Sequence, residues 1–537
     1  MLRLFFPPYI LPSSYLHSSL LTLNSPSPMG IIARQSIKGT IATYIGVFIG
    51  FVTTFFILTS YLTAEEVGLT RVLVDAATLF SSLALMGTGS STLRFYPHFK
   101  DESRNQQGLY FWTLIIPFVG FLLFLICFFA FKGLIIRAFE DNSPLFVNYV
   151  YFALPIAFFM LYMSVFETNA TILERVAVPR MIREVFIRVG LLVGYLLYGL
   201  WHVITLDGLV IVFCATYGVG ALLNLCYLLF SQKISFKPDF SKITPQLRRD
   251  FLLYTLFLIT SALVSAVMPT LSSFFISAKM GLMFTGIYAI ANYIATMVEI
   301  PSRSLNAIVQ PRIAVALRAT PPDLSTAIRL FQQVSLNQLL ASIVVLILIW
   351  INIDLFFDLL PNGEQYAAGK WVVLILAISK SVGSSFVIGG SSLGYTRWYY
   401  TSLFFTLILM VLSIFLNNYL IPICGIEGGA WATLGSNVIY YILLLLYVKW
   451  RVGTYPFSWG QLKVLAVGLL MVALNYLMVF AVGKLMPEPS MAFRIVEAVV
   501  RTGIVSVVGL LVVYYWNVSA DVNELILKVV RKVKRGN

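Results

Sequence analysis

Runs of about twenty apolar residues succeed one another along almost the whole chain. A helix of that length is about 30 Å long, the thickness of a bilayer's hydrocarbon core. Inside hydrocarbon every backbone N–H and C=O has to be satisfied within the protein, so only helices or a closed barrel can cross it. The runs are continuously apolar and do not alternate, which excludes the barrel. Charged residues occupy 11% of the 537 positions, against roughly 25% in soluble domains. No stretch of ordinary soluble composition exceeds about twenty-five residues. The chain is expected to be an all-α polytopic membrane protein without an extramembrane domain.

Fourteen helices are predicted, near 37–61, 67–92, 109–131, 146–171, 184–200, 207–230, 250–276, 283–303, 330–352, 370–390, 399–421, 427–449, 460–483 and 493–515. From residue 29 onward the loops of one side then hold 27 lysines and arginines, and those of the other hold six. The positive-inside rule places the basic side, with both termini, in the cytoplasm. Glu65, Glu66, Glu140, Asp141, Asp354, Asp358 and Glu364 fall outside. Most of the net charge of +14 is therefore an orientation signal, and no nucleic-acid partner is needed to explain it.

The loop from Ser231 to Asp250 carries Lys233, Lys237, Lys242, Arg248 and Arg249 with two prolines. It reads as a cytoplasmic linker, 231–249, between six-helix lobes at 30–230 and 250–450. Two further helices occupy 451–516. In the tail, 517–537, Val522, Leu525, Ile526, Val529, Val530 and Val533 alternate with Lys528, Arg531, Lys532 and Lys534 in a helical pattern. That suits a basic amphipathic helix on the anionic inner leaflet; a solvated basic tail with no binding role fits it equally. Residues 1–28 contain Pro7, Pro8, Pro12, Pro26 and Pro28, too many for a spanning helix and badly placed for a signal peptide. Met29 is expected to be the true start, with 1–28 an over-extended reading frame or a disordered tail.

Cys127, Cys214, Cys226 and Cys424 show no paired spacing, and His17, His98 and His202 share no segment, so neither a disulfide framework nor a metal site is expected. No Gly-x4-Gly-Lys-Ser/Thr loop occurs, and no cofactor is expected. Energy must come from an ion gradient, the membrane potential or the substrate's own gradient.

What remains is a set of polar stripes. In the eighth span Tyr288, Asn292, Thr296, Glu299, Arg303, Asn306 and Gln310 follow one another at steps of three and four, which keeps them on one helical face. Charge at membrane depth is costly, so such a stripe is a candidate functional site, polar packing inside a bundle being the alternative. Six helices earlier, the second span repeats the pattern with Arg71, Asp75, Thr78 and Ser82. The first offers Ser36, Thr40, Thr43 and Thr54. The seventh offers Tyr254, Ser261, Ser265 and Ser272, with a kink expected at Pro269. A repeat of six helices would place these four spans around a shared cavity. Lys380, ten residues into the tenth span, must face an acid, backbone carbonyls, water or an anionic ligand. Glu497–Arg501 reads as an internal ion pair holding the last helix. Arg71–Asp75 and Glu299–Arg303 share its i, i+4 spacing, which allows self-neutralisation. Arg71 falls near the outer end of its helix and Arg303 near the inner end of its own, a distribution suited to an anionic substrate. Asp75, Glu167 and Glu299 are the carboxylates expected to couple transport to H+ or Na+.

Several stretches resemble the oligosaccharide flippases of bacterial polysaccharide biosynthesis, of the O-antigen type. These are related to lipid II flippases and to multidrug and toxin exporters in one superfamily. The stretches are Ile37-Lys-Gly-Thr-Ile-Ala-Thr-Tyr-Ile-Gly46, Gly87-Thr-Gly-Ser-Ser-Thr-Leu-Arg-Phe-Tyr-Pro97, Val178-Pro-Arg-Met-Ile-Arg-Glu184, Glu299-Ile-Pro-Ser-Arg303, Leu359-Leu-Pro-Asn-Gly-Glu364 and Ile421-Pro-Ile-Cys-Gly-Ile-Glu-Gly-Gly-Ala-Trp-Ala-Thr433. The resemblance covers nearly all of 30–515. It implies two pseudo-symmetric six-helix lobes around a central cavity, plus two helices. It also implies flipping of undecaprenyl-diphosphate-linked sugars across the bacterial inner membrane, with glycan polymerases or ligases as partners. A cationic cavity for the diphosphate follows, and its family-like positions here are Arg34, Arg94 and Arg303, with Lys380 beside them. A glycan polymerase or ligase would need a sizeable outer loop, and the longest here is roughly 353–369. A drug antiporter of the same fold would favour buried carboxylates over a cationic lining, and this chain has both.

Overall fold

A computed structural model describes residues 29–99, 108–231, 245–318, 323–394, 398–485 and 490–535. Every regular element among them is helical. Among the described residues eleven helices are long and apolar enough to cross a membrane, or twelve if the bent pair Leu258–Val267 and Leu271–Met280 is one span. The protein is a multi-pass membrane protein.

The number differs from fourteen for two physical reasons. The fifth expected span is helical from Ala177 to Gly199 and holds Arg180, Arg183, Glu184 and Arg188, more charge than an apolar span carries. The eleventh and twelfth run together as Tyr399–Arg451, broken at Gly425, whose φ of 61° and ψ of −139° no helix adopts. Pro422, three residues earlier, lacks the N–H that a continuous helix would use.

Three boundaries also move. The second span is Ala64–Ala84, opened by a capping box in which Thr63 N donates to Glu66 Oε2 at 2.8 Å and Glu66 N donates to Thr63 Oγ1 at 3.3 Å. It stops at Met86 and Gly87, both at positive φ. Arg94 thus belongs to a separate helix, Thr88–Phe99. The seventh span is Pro245–Val267 and Leu271–Met280, bent by 50° around Pro269. The eighth runs Leu282–Thr296, tightens into a 3₁₀ turn at Met297–Glu299, and continues as Ile300–Arg318, well past its expected end. Residues 1–28 and most of the 231–249 linker lie outside the described residues.

The main apolar core draws on both halves: Phe55, Leu58, Val67, Ala77 and Leu161 pack in one cluster with Ile287, Ile290, Ala291, Ile353, Phe357 and Tyr366. At its centre Ala64–Ala84 and Leu282–Thr296 cross backbone to backbone. A methyl on Gly68 would lie 1.9 Å from the Leu282 carbonyl oxygen, and one on Gly286 would lie 2.0 Å from that of Ala64. Small residues allow this approach where no hydrophobic effect drives helices together. A second cluster of Leu340, Ile347, Val464, Met471, Val505 and Val513 fastens Trp459–Leu485 and Met491–Tyr515 to Leu324–Ile351.

Candidate functional site

The two striped helices meet at the end of the bundle that carries Glu65 and Glu66. There the halves are joined by polar contacts: Asn362 Nδ2 donates to the Thr59 carbonyl (2.8 Å), Asn142 Nδ2 to that of Ala278 (2.9 Å), and Ser143 Oγ to that of Ser277 (2.6 Å). Just below them, Arg71 Nε donates to Asp75 Oδ2 at 3.0 Å. Asp75 is buried and Arg71 half-buried. Ser273, from the other half, also interacts with the Asp75 carboxylate. Next to it Ser272 Oγ lies 3.2 Å from Thr433 Oγ1, and the buried Tyr288 interacts with both hydroxyls. The result is a dense polar knot between halves.

The lower part of the eighth span is built differently. Glu299, at the end of its 3₁₀ turn, lies 3.5 Å from Lys380 Nζ of the Lys370–Gly394 helix. Both are half-buried. Sequence spacing offered Glu299 a partner one turn along in Arg303, whose side chain lies outside the described residues; the structure brings it a lysine from another helix. Next in sequence to Lys380, Ser379 Oγ accepts from Asn437 Nδ2 at 2.9 Å, and the half-buried Tyr441 stands within electrostatic reach of Glu299. Lys380 thus meets an acid of the eighth expected span, while Ser379 next to it is tied to the twelfth.

The stripe divides along its length. Tyr288 is locked in the knot, and Asn292 and Thr296 are half-buried, with Thr296 Oγ1 donating to the Asn292 carbonyl at 2.7 Å. Asn306 turns into its own half, where its Oδ1 accepts from Gln338 Nε2 at 2.7 Å. The helices bearing Arg34, Arg94 and Arg303 are described, but those three side chains lie outside the described residues. Glu497 and Arg501 pair at 2.9 Å, and Arg501 Nη2 donates to the Ile351 carbonyl at 2.9 Å, so this pair anchors the last expected span, Met491–Tyr515.

Glu167 belongs to a second charged group, in the first half, whose arginines the sequence reading left as topology charges. Arg183 Nη2 lies 2.7 Å from Glu167 Oε2 and donates to Ser164 Oγ at 3.0 Å. Arg188 Nη2 pairs with Glu184 Oε2 at 3.1 Å, while its Nη1 donates to the Gly46 carbonyl. Arg183 and Glu184 lie within a π-helical turn, Ile182–Phe186, a distortion frequent at functional sites. Starting the fifth span at 184 assigned Arg180 and Arg183 to a loop and counted them as topology charges. The helix starts at Ala177, which puts both inside it. The i, i+4, i+8 series Arg180, Glu184, Arg188 was the available signal. It faces small residues of the first span, where methyls on Gly39 and Gly46 would meet Arg180 Cδ at 3.2 Å and the Glu184 carbonyl oxygen at 2.3 Å.

The fold of this apolar helix bundle, with ion pairs inside its helices, matches solved structures. The chain superposes on lipid II flippase MurJ, inward closed conformation, with a TM-score of 0.68 at 13% identity, covering 89% of this chain and 98% of that one. An inward-facing multidrug resistance MATE transporter gives 0.57 at 15% identity (77% and 94% covered), and an outward-facing one 0.54 at 13% (79% and 95%). No curated protein matches the sequence. Residues 32–317 match the family model for polysaccharide biosynthesis proteins. That is more than half of the chain, and the protein belongs to this family.

Proposed function

We propose that the protein is a flippase that moves an undecaprenyl-diphosphate-linked oligosaccharide from the cytoplasmic to the periplasmic leaflet of the bacterial inner membrane, for O-antigen-type polysaccharide synthesis. In this reading two six-helix lobes alternate their access around a central path within a fourteen-helix bundle, both termini being cytoplasmic. Family membership supports the glycan, and the fold shared with a lipid II flippase supports a lipid-linked one. The observation that carries the reading is the set of cations within the spans of both halves: Arg71, Arg183 and Arg188 in the first, Lys380 in the second. Each is held by a carboxylate and each keeps part of its surface exposed. An anionic headgroup can take the carboxylate's place, and arginine's planar fork suits diphosphate oxygens. By the sequence resemblance Arg34, Arg94 and Arg303 belong to the same cationic set, and Asn292 would line the path. Asp75 and Glu299 are the groups through which H+ or Na+ would couple. Polymerases or ligases on the far leaflet would consume the product.

Reconstitution with a fluorescent undecaprenyl-diphosphate oligosaccharide, followed by its leaflet distribution, tests this directly. Accelerated flipping is expected. No acceleration, together with proton-coupled efflux of organic cations, would establish instead the antiporter reading that the carboxylates Asp75 and Glu299 favour.

A further inference from the structure

The chain's last helix, Ala520–Arg535, lies outside the transport reading and has its own built attachment. Asp521 receives two contacts from Gln333 Nε2, at 2.7 and 2.6 Å, and one from Asn337 Nδ2 at 2.7 Å. Ser519 Oγ donates to Asn337 Oδ1 at 2.6 Å. The start of the helix is thus clasped to the third and fourth turns of Leu324–Ile351. Lys463 Nζ donates to the Trp516 carbonyl at 2.9 Å, and a methyl on Gly460 would lie 3.3 Å from the Val518 carbonyl oxygen, so the start of Trp459–Leu485 stands at the same level.

That level is marked by aromatic side chains facing outward: Trp459 is 81% exposed, Tyr515 77% and Trp450 69%. Rings of Trp and Tyr collect where hydrocarbon meets headgroups. The clasp therefore starts the last helix in the headgroup layer. Most of its positions then divide at the helical period, with Leu525 and Leu527 at the two flanks. Val522, Ile526, Val529, Val530 and Val533 share one face; Glu524, Lys528, Arg531, Lys532 and Arg535 share the other. On the polar face Glu524 and Lys528 pair at 2.7 Å in the open.

We propose that Ala520–Arg535 is an in-plane helix that docks on an anionic lipid surface, its apolar face in the acyl boundary and its bases among acidic headgroups, with Asp521 setting its depth. Charge complementarity selects the occupant. Lys528, Arg531, Lys532, Lys534 and Arg535 outnumber the helix's acids, Asp521 and Glu524, and Asp521 is taken up by the clasp. Interfacial helices of this composition bind through apolar burial together with attraction to anionic lipid.

The test uses the full chain with its four free cysteines replaced by serine, carrying a bimane at Ile526→Cys or Glu524→Cys. The protein is placed in nanodiscs of phosphatidylcholine with or without phosphatidylglycerol, both with a lipid-borne nitroxide quencher. Quenching at position 526 is expected to exceed that at 524 several-fold when phosphatidylglycerol is present. The difference should shrink without it or in high salt. Equal quenching at the two positions in both lipids would overturn the proposal and leave a solvated tail. A position difference that ignores phosphatidylglycerol would overturn its electrostatic part. The lipid comparison needs no further variant, and neither outcome depends on whether the protein flips glycans.

Discussion

Arg71–Asp75 and Glu299–Lys380 are both carboxylate–cation pairs on striped helices, yet they are made in opposite ways. The first is closed within one turn of one helix and sits just below the glycine crossing of the two halves. The second joins two helices at a 3₁₀ irregularity, at 3.5 Å. A pair within one turn travels with its helix and survives any rigid-body movement. A pair between helices opens when those helices move apart. Burial adds to the contrast, since removing a partner from a buried pair strands the other charge.

The comparison breaks first at the crossing. Gly68→Val or Gly286→Val puts a side chain where 1.9 to 2.0 Å is available to a carbonyl oxygen; the expected result is loss of the folded transporter, read as collapse of the monodisperse peak in detergent. Overpacking costs typically about 1–3 kcal/mol, and rigid backbone on both sides leaves no relief here. Normal chromatography and transport would show that the halves need not touch there.

Next in size is the interhelical pair. Lys380→Ala should abolish glycan flipping while the protein still reaches the membrane, and Glu299→Gln should weaken flipping less, because the cation survives. Equal flipping by Lys380→Ala and wild type would remove Lys380 from the path.

Arg71→Ala leaves Asp75 unpaired and should lower stability by about 3 kcal/mol, the lower end of the range for breaking a buried pair, measured as a fall in thermal midpoint. Arg71→Lys should recover most of it. If Arg71→Ala instead kept its stability and lost only transport, the two pairs would be alike and the contrast would fall.

Arg183→Ala should reduce flipping more than Arg501→Lys does, since Arg501 is tied to a backbone carbonyl of the ninth span. The smallest effect expected is Arg303→Lys. Partial flipping would mean that charge suffices there, and loss as complete as in Arg303→Ala would mean that the arginine fork is required.

The sequence was read most securely where one physical rule acts over many residues. Continuous hydrophobicity demands spanning helices, Pro269 demands a bend, and Glu497–Arg501 can reach each other whatever surrounds them. Steps of three and four put Tyr288 and Asn306 on one face, and periodicity could go no further. Tertiary packing buried Tyr288 against Ser272 and Thr433 and turned Asn306 toward Gln338. The fifth span failed as a boundary because its charges looked like loop. Ion pairing with Glu167 and Glu184 is what lets them lie in a helix, and a partner on another segment is invisible to local composition.

On its own, the sequence determined that this chain crosses a membrane repeatedly as helices and that certain helices carry buried charge, because hydrocarbon penalises any other backbone and any idle ion. Only the tertiary structure decided which charge meets which: Glu299 with Lys380, Arg183 with Glu167, Asp521 with Gln333 and Asn337. Those contacts depend on the directions of helices far apart in the chain, set by glycine crossings and packed side chains that no local pattern encodes.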